Sequence, residues 1–113
     1  MKLSQRQIWL VNFDPSVGSE YRKIRPALII TASEYIDNSN LITMVPISSV
    51  IEKKRKLDIL IRKSINNRLM KDSLIKTFQI STFDKKRLIK FIGTCKEENF
   101  NKVKQNISEY LSL

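Results

Sequence analysis

The stretch from residue 14 to residue 30, DPSVGSEYRKIRPALII, limits the fold most, because it can form neither one helix nor one strand. Pro15 fixes φ and lacks an amide proton, and Gly18 permits backbone angles that other residues avoid, so its first part is predicted to be a loop. Pro26 keeps Arg25 in an extended conformation. The apolar run that follows, ALII, is typical of a strand buried on both faces.

The same stretch concentrates groups that bind phosphate. Ser19 offers a hydroxyl, Glu20 a carboxylate, and Arg22, Lys23 and Arg25 offer three cations. A guanidinium held at the end of a rigid strand can bind a phosphate through two parallel hydrogen bonds. The sequence therefore predicts a phosphate-binding site where the loop meets the strand.

The rest of the chain is predicted to consist mostly of short strands. These strands occupy residues 8–13, 41–47, 57–61, 72–78 with a continuation over 79–83, and 88–92. The polar segment 31–40 is predicted to be a helical turn followed by a loop, and one further turn is expected at 84–86.

Near the end of the chain the hydrophobic period changes. Apolar residues at spacings of three and four predict a helix over about residues 96–111, and Thr94 with Glu97 resembles a capping box at its start. The apolar positions are Phe100, Val103, Ile107 and Leu111. Short strands followed by one helix favour a small, mainly β barrel with the helix packed across it.

Composition narrows the class of partner. The 113 residues suffice for one domain, spanning residues 1–113, and the net charge of +10 favours a polyanion, with nucleic acid as the first candidate. A lysine-rich proteome is the alternative origin of that charge. One cysteine, Cys95, and no histidine exclude a disulfide framework and argue against a zinc site. No apolar run approaches membrane-spanning length, so a cytoplasmic protein with no membrane partner is expected.

Three segments together resemble the MazF/PemK family of toxin endoribonucleases: IWLVNFDPSVGSEYRKIRPALII, MVPISS and DSLIKTFQISTFDKKRLIKFIG. The resemblance covers nearly the whole chain, in the family's order and spacing. It implies an SH3-like barrel of the CcdB/MazF type, a homodimer, cleavage of single-stranded RNA without metal or other cofactor, and an acidic MazE-like antitoxin as partner. The family's essential arginine falls on Arg25, and its essential strand-end hydroxyl, usually threonine, falls on Ser48.

The chemistry of RNA cleavage without a metal also needs these residue types. The adjacent 2′-hydroxyl attacks, so the protein must move protons and stabilise a dianionic phosphorane, giving 2′,3′-cyclic phosphate and 5′-hydroxyl ends. Arg25 can neutralise the phosphate, and Ser48 can donate a hydrogen bond to it. A guanidinium rarely deprotonates, so Glu20 is the nearest conventional base. The competing interpretations are a salt bridge for Glu20, a strand-edge ion pair for Arg25 and a turn hydroxyl for Ser48.

Further RNA contacts are predicted outside this pair. The charged run KKRK is interpreted as an RNA-guiding loop or a solubilising turn. Lys76 and Gln79 are interpreted as RNA contacts or as solvated strand residues. The candidates are Ser19, Arg22, Lys23, Lys53, Lys54, Arg55, Lys56, Lys76 and Gln79. Trp9 and Phe13 are predicted to belong to the core.

The chain departs from the family pattern at several positions. Arg6 and Gln7 stand where the family usually has glycine and an acidic residue. On a later strand, Phe78 and Lys76 stand where some members have acidic and arginine groups, and Ser81 replaces a basic residue. Two other functions stay open: a non-catalytic RNA-binding module, and a gyrase poison of the same fold. The poison is disfavoured because it depends on an aromatic chain terminus, whereas this sequence ends in YLSL.

Overall fold

The structure is a computed structural model that describes residues 2–13 and 24–113. Within these ranges, seven strands and two α-helices follow one another along the chain. The strands are β1 (Gln7–Asn12), β2 (Ile24–Ile29), β3 (Leu41–Ser48), β4 (Ile59–Ile61), β5 (Ser73–Ile75), β6 (Ser81–Asp84) and β7 (Leu88–Thr94). The helices are α1 (Ser33–Ile36) and α2 (Glu97–Leu111), and 3₁₀ turns form at Thr77–Gln79 and Lys85–Arg87.

All strand pairs are antiparallel, in the order β4-β5-β3-β2-β1-β7. β6 lies off this path and pairs with the first half of β3. The predicted architecture, a mainly β fold with a C-terminal helix, is therefore confirmed. β3 is the hub of the sheet, because it pairs in turn with β6, β2 and β5.

The central strands are buried on both faces, which explains why their sequences do not alternate between apolar and polar residues. On β2, Ala27 and Ile29 belong to one apolar cluster, whereas Leu28 belongs to the other. On β3, Met44 and Val45 divide in the same way. One of these clusters receives Phe100 and Val103 from α2, so the helix covers one face of the sheet.

Trp9 and Phe13 both pack against the apolar cluster that contains Ala27, Ile29 and Met44, as predicted. The Trp9 ring lies edge to face with Phe91 at a centroid distance of 6.0 Å, and Phe13 meets Phe83 in the same way at 5.5 Å. The Trp9 indole Nε1 donates to the side-chain oxygen of Gln7. These rings therefore pack within the protein, and each is only partly exposed.

The predicted helix is confirmed over Glu97–Leu111, but the predicted capping box is wrong. Thr94 is still part of β7, where its amide donates to the carbonyl oxygen of Asn66. Lys96 is the residue that precedes the helix, and it gives no side-chain cap.

Two predicted strand boundaries need correction. The strand expected over 72–78 ends at Ile75, because the next amide, that of Lys76, donates to the carbonyl oxygen of Pro46 and a 3₁₀ turn follows. The strand expected to close at Gly93 continues through it to Thr94, because Gly93 pairs with Ile8 of β1. No helix within the described ranges is long and apolar enough to cross a membrane.

The loop between β4 and β5 is built around the Asn67 side chain, which is buried. Its Oδ1 accepts from the amides of Ser64 and Leu69, and its Nδ2 donates to the carbonyl oxygen of Arg62. The loop packs directly on β7 at Gly93, where an added Cβ would lie 2.5 Å from the Asn67 carbonyl oxygen. Only a residue without a side chain allows this approach.

Gly93→Ala is expected to destabilise the protein by about 1–3 kcal/mol, because the backbone of the 62–72 loop must move to admit the methyl group. Urea unfolding of the two proteins measures this difference. Lys90→Ala, on the exposed part of the same strand, is the control and should change stability by less than about 0.5 kcal/mol. Equal stability of Gly93→Ala and the parent would show that this contact does not hold the loop.

Candidate active site

A groove of about 780 Å³ opens where β3 leaves β2 and joins β5. The last β2–β3 pair is Ala27 with Pro46, and β3 then pairs with β5 at Ile47 and Ser48. Pro26 has no amide proton to extend the β2–β3 ladder. The two strands separate here, and the space between them forms one end of the groove.

Arg25 and Ser48 both line this groove. In the three β2–β3 pairs that form, partner residue numbers add up to 73, so the same register continued for two more residues would set Arg25 opposite Ser48. Both side chains are partly exposed. The sheet thus brings together a guanidinium and a hydroxyl that lie 23 residues apart in the chain.

The two groups are available to bind a ligand. Among the described residues, no carboxylate forms an ion pair with Arg25. The Ser48 Oγ accepts from the amide of Val50 at 3.1 Å, which orients the oxygen and leaves its proton free to be donated. The strand-edge ion pair considered for Arg25 stays open, because the carboxylates of Asp14 and Glu20 lie outside the described residues. The interpretation of Ser48 as a turn hydroxyl explains the hydrogen bond that its Oγ accepts, but it assigns no partner to the hydroxyl proton.

Three further cations line the groove that the sequence analysis did not single out: Arg68, Lys71 and Lys90. Arg68 and Lys71 come from the β4–β5 loop, and Lys90 comes from β7. The close approach of the loop to β7 at Gly93 holds Arg68 and Lys71 on the same groove as Lys90 and Arg25. The turn formers Asn66 and Asn67 predicted a loop from the sequence, but they did not show which surface that loop reaches.

Comparison with known proteins identifies the family. A family model described as PemK-like, MazF-like toxin of type II toxin-antitoxin system matches residues 4–111. The chain belongs to this toxin family. The match covers nearly the whole chain, and it confirms the resemblance found in the sequence.

Individual relatives of this MazF/PemK-like toxin agree. Endoribonuclease MazF9 of Mycobacterium tuberculosis is 27% identical over 112 residues, covering 95% of this chain and 94% of that protein. Endoribonuclease PemK of Escherichia coli is 36% identical over 47 residues, covering 42% of this chain and 35% of that protein. The toxin is thus a member of a family whose named relatives are endoribonucleases.

Solved structures show the same fold. A crystal structure of MazF from Deinococcus radiodurans superposes with a TM-score of 0.83 at 17% identity, covering 100% of this chain and 99% of that one. A mycobacterial endoribonuclease in complex with its cognate antitoxin superposes with a TM-score of 0.72 at 14% identity, covering 99% and 95%. At these identities the likeness establishes the fold.

Four predicted site residues of the toxin, Ser19, Glu20, Arg22 and Lys23, lie outside the described residues. The described part of the chain places no group of three or more histidine, cysteine, aspartate or glutamate side chains where they could hold a metal ion. Burial raises the pKa of the Cys95 thiol to about 11, against the opposing charge of Arg6. This thiol is therefore protonated at neutral pH and is not a nucleophile.

The charged run of Lys53, Lys54, Arg55 and Lys56 is exposed and does not line the groove. Two of its side chains instead lie near the 3₁₀ turn Thr77–Gln79 and near the end of α2. The Arg55 guanidinium lies 4.9 Å from the centre of the Phe78 ring, and Lys56 Nζ is 3.6 Å from a carboxylate oxygen of Glu109. Its role as an RNA-guiding loop remains a prediction.

Lys76 and Gln79 also lie outside the groove lining. Lys76 Nζ lies 2.6 Å from Oδ2 of Asp58, whose side chain is fully buried, and only 12% of the Lys76 side chain is exposed. The interpretation of Lys76 as a solvated strand residue is thus wrong, because its ammonium compensates a buried charge. Gln79 is exposed at the end of the 3₁₀ turn.

The two departures at the start of β1 have structural explanations. Arg6 has a φ of 78°, a conformation that glycine adopts without strain, which accounts for the glycine usual in the family. Its Nε donates to the carbonyl oxygen of Cys95 at 3.0 Å. Gln7, in place of the acid, accepts from Trp9 and from the amide of Ser4. In this toxin both residues have structural partners away from the groove.

Lys76→Met is expected to cost about 3 kcal/mol of unfolding free energy, because it leaves the Asp58 carboxylate buried without a counterion. Lys71→Met, at an exposed lysine, is the matched control and should cost less than about 0.5 kcal/mol. Adding Asp58→Asn to Lys76→Met should recover part of the loss. Urea denaturation tests all four proteins, and a Lys76→Met effect as small as the control would return Lys76 to the solvated role.

Proposed function

We propose that this toxin is a metal-independent endoribonuclease that cleaves single-stranded RNA in the groove between β2 and β3. The observation that carries the proposal is that Arg25 and Ser48 line one groove, just beyond the point where β2 and β3 separate. These are the two positions onto which the family's essential residues map. The endoribonuclease names of two relatives support the same activity.

In the proposed reaction the 2′-hydroxyl of the RNA attacks the adjacent phosphorus, and the bond to the 5′-oxygen breaks. The phosphorane carries extra negative charge, so donors that are already in position stabilise it more than they stabilise the substrate. Arg25 contributes a charged, forked hydrogen-bond donor. Ser48 donates a hydrogen bond through its hydroxyl proton, which the bond from the Val50 amide does not use. The products are a 2′,3′-cyclic phosphate and a 5′-hydroxyl.

The proton transfers need a base and an acid, and the chain contains no histidine. Glu20 is the proposed base that takes the 2′-hydroxyl proton, with Arg25 as the alternative, and the leaving 5′-oxygen takes its proton from Arg25 or from water. Ser19, Arg22 and Lys23 are proposed to bind the RNA next to them. The Lys53–Lys56 run and Gln79 are proposed as outlying contacts that attract RNA by charge and hydrogen bonding.

The toxin is further proposed to act in the cytoplasm as a homodimer and to be inhibited by an acidic, MazE-like antitoxin. Complexes of related MazF proteins with MazE support an antitoxin partner. A chain of net charge +10 attracts an acidic segment that folds on binding. Such a segment lying on the Arg25 end of the groove would compete directly with RNA.

Arg25→Ala should lower the cleavage rate by about a hundredfold or more, as loss of one preorganised transition-state donor does. Ser48→Ala should be nearly as damaging, whereas Ser48→Thr retains the hydroxyl and should stay active. Cleavage of single-stranded RNA in chelator, with analysis of the product ends, measures these rates. Arg62→Ala, an exposed arginine outside the groove, is the matched control.

Full activity of Arg25→Ala would remove Arg25 from the site and with it the proposed groove. Products with a 5′-phosphate would indicate a metal-dependent nuclease. Binding of RNA without cleavage by the wild-type toxin in any condition would favour the non-catalytic module instead.

The antitoxin should inhibit cleavage competitively, raising KM for RNA without changing kcat. The test titrates the acidic protein encoded next to the toxin gene into the cleavage assay and follows its binding by calorimetry at two salt concentrations. Binding should weaken as salt rises, since the attraction is electrostatic. Tight binding that leaves cleavage intact would show that the antitoxin does not cover the groove.

A further inference from the structure

Four consecutive residues of the loop between β4 and β5 line the groove: Arg68, the buried Leu69, Met70 and Lys71. This loop, residues 62–72, lines the same groove as the strand ends that carry Arg25 and Ser48. Nothing in the sequence comparison assigns it a role. Its position next to the reacting groups makes it the second wall of the same groove.

The charge of the lining is one-sided. Four described lining residues are cationic (Arg25, Arg68, Lys71 and Lys90), and none is acidic. No described carboxylate lies within ion-pair distance of Arg68, Lys71 or Lys90. A concave surface with uncompensated cations on two walls focuses its field on an anion that enters it.

Between the two loop cations lies an apolar side chain with almost no protein contact. Met70 is 91% exposed, although methionine normally packs into a core. Two other groove-lining apolar residues, Ile24 and Val50, are also more than half exposed, at 52% and 55%. Apolar groups alternating with cations fit a single-stranded nucleic acid, whose bases present flat apolar faces beside each phosphate.

The backbone of the loop is held in place before any ligand binds. Asn67 closes it with three hydrogen bonds, and Gly93 allows it to sit on β7. Arg68 has a left-handed φ of 54°, and its amide donates to the carbonyl oxygen of Ser64. A wall ordered in advance loses less entropy on binding than a loop that must fold around its ligand.

We propose that the 62–72 loop is an RNA-binding wall of the groove: Arg68 and Lys71 bind phosphates that flank the cleaved bond, and Met70 contacts a base. The proposal rests on the proposed function of the groove. Lys90, from β7, completes the same cationic rim. The wall contributes to substrate binding, and the chemistry stays with Arg25 and Ser48.

The loop itself supplies matched controls. Lys63, Arg62 and Ile65 lie on the same loop but do not line the groove, and Ile65 is 92% exposed, like Met70. Three pairs can therefore be compared: Lys71→Gln with Lys63→Gln, Arg68→Asn with Arg62→Asn, and Met70→Gln with Ile65→Gln. Asparagine suits the left-handed backbone at position 68. Exposure of the substituted side chains predicts unchanged stability, which thermal unfolding checks.

The readouts are KM and kcat for RNA cleavage and the affinity for a single-stranded oligodeoxynucleotide, which lacks the attacking hydroxyl. Lys71→Gln and Arg68→Asn should each weaken binding roughly three- to tenfold at unchanged kcat. Each should also reduce the slope of log affinity against log salt by about 0.7, the value for one phosphate contact on a single strand. Met70→Gln should weaken binding without changing that slope.

Equal effects within each pair would overturn the proposal, because position in the groove would then not matter. A loss of antitoxin affinity with unchanged oligonucleotide binding would also overturn it and assign the wall to the antitoxin. If the wild-type toxin binds the oligonucleotide through this wall but cleaves no RNA, the proposed catalytic function fails and the binding wall stands.

Discussion

At Pro46, β3 changes its partner strand, and the groove of this toxin depends on that change. One strand must pair with β2 through its middle and with β5 at its end, so β2 and β3 separate just beyond Ala27. Arg25 on β2 and Ser48 on β3 each lie two residues beyond the last paired residues, Ala27 and Pro46. The buried core on both faces of β2 and β3 keeps this geometry rigid, because neither strand can shift its register without exposing apolar side chains.

The remaining walls depend on one backbone contact between distant segments. Gly93 admits the carbonyl of Asn67, and the loop so placed brings Arg68 and Lys71 to the groove. A second buried interaction, between Asp58 and Lys76, ties the end of the β3–β4 connection to the segment after β5. Positive charge in this protein thus has two settings: Lys76 compensates a buried carboxylate, whereas the groove cations have no carboxylate partner among the described residues.

The sequence predicted those features that depend on local chemistry. Apolar runs predicted most strands, and the spacing of Phe100 and Val103 predicted α2. The loop predicted from Pro15 and Gly18 lies outside the described residues. Arg25 was recognisable because Pro26 fixes its backbone, but the importance of Ser48 rested on family resemblance. Lys76, Arg68 and Lys71 were misassigned or missed because their surroundings are non-local: a strand pattern does not show that Lys76 meets a carboxylate 18 residues away.

The central claim is that Arg25 and Ser48 act on one phosphate in one groove. Single-turnover cleavage by the parent, Arg25→Ala, Ser48→Ala and the double variant tests it most directly, because residues that stabilise the same transition state are not additive. The account predicts that the double variant loses far less activity than the product of the two single losses. Fully multiplicative losses would contradict it, since they would mean that the two side chains act independently.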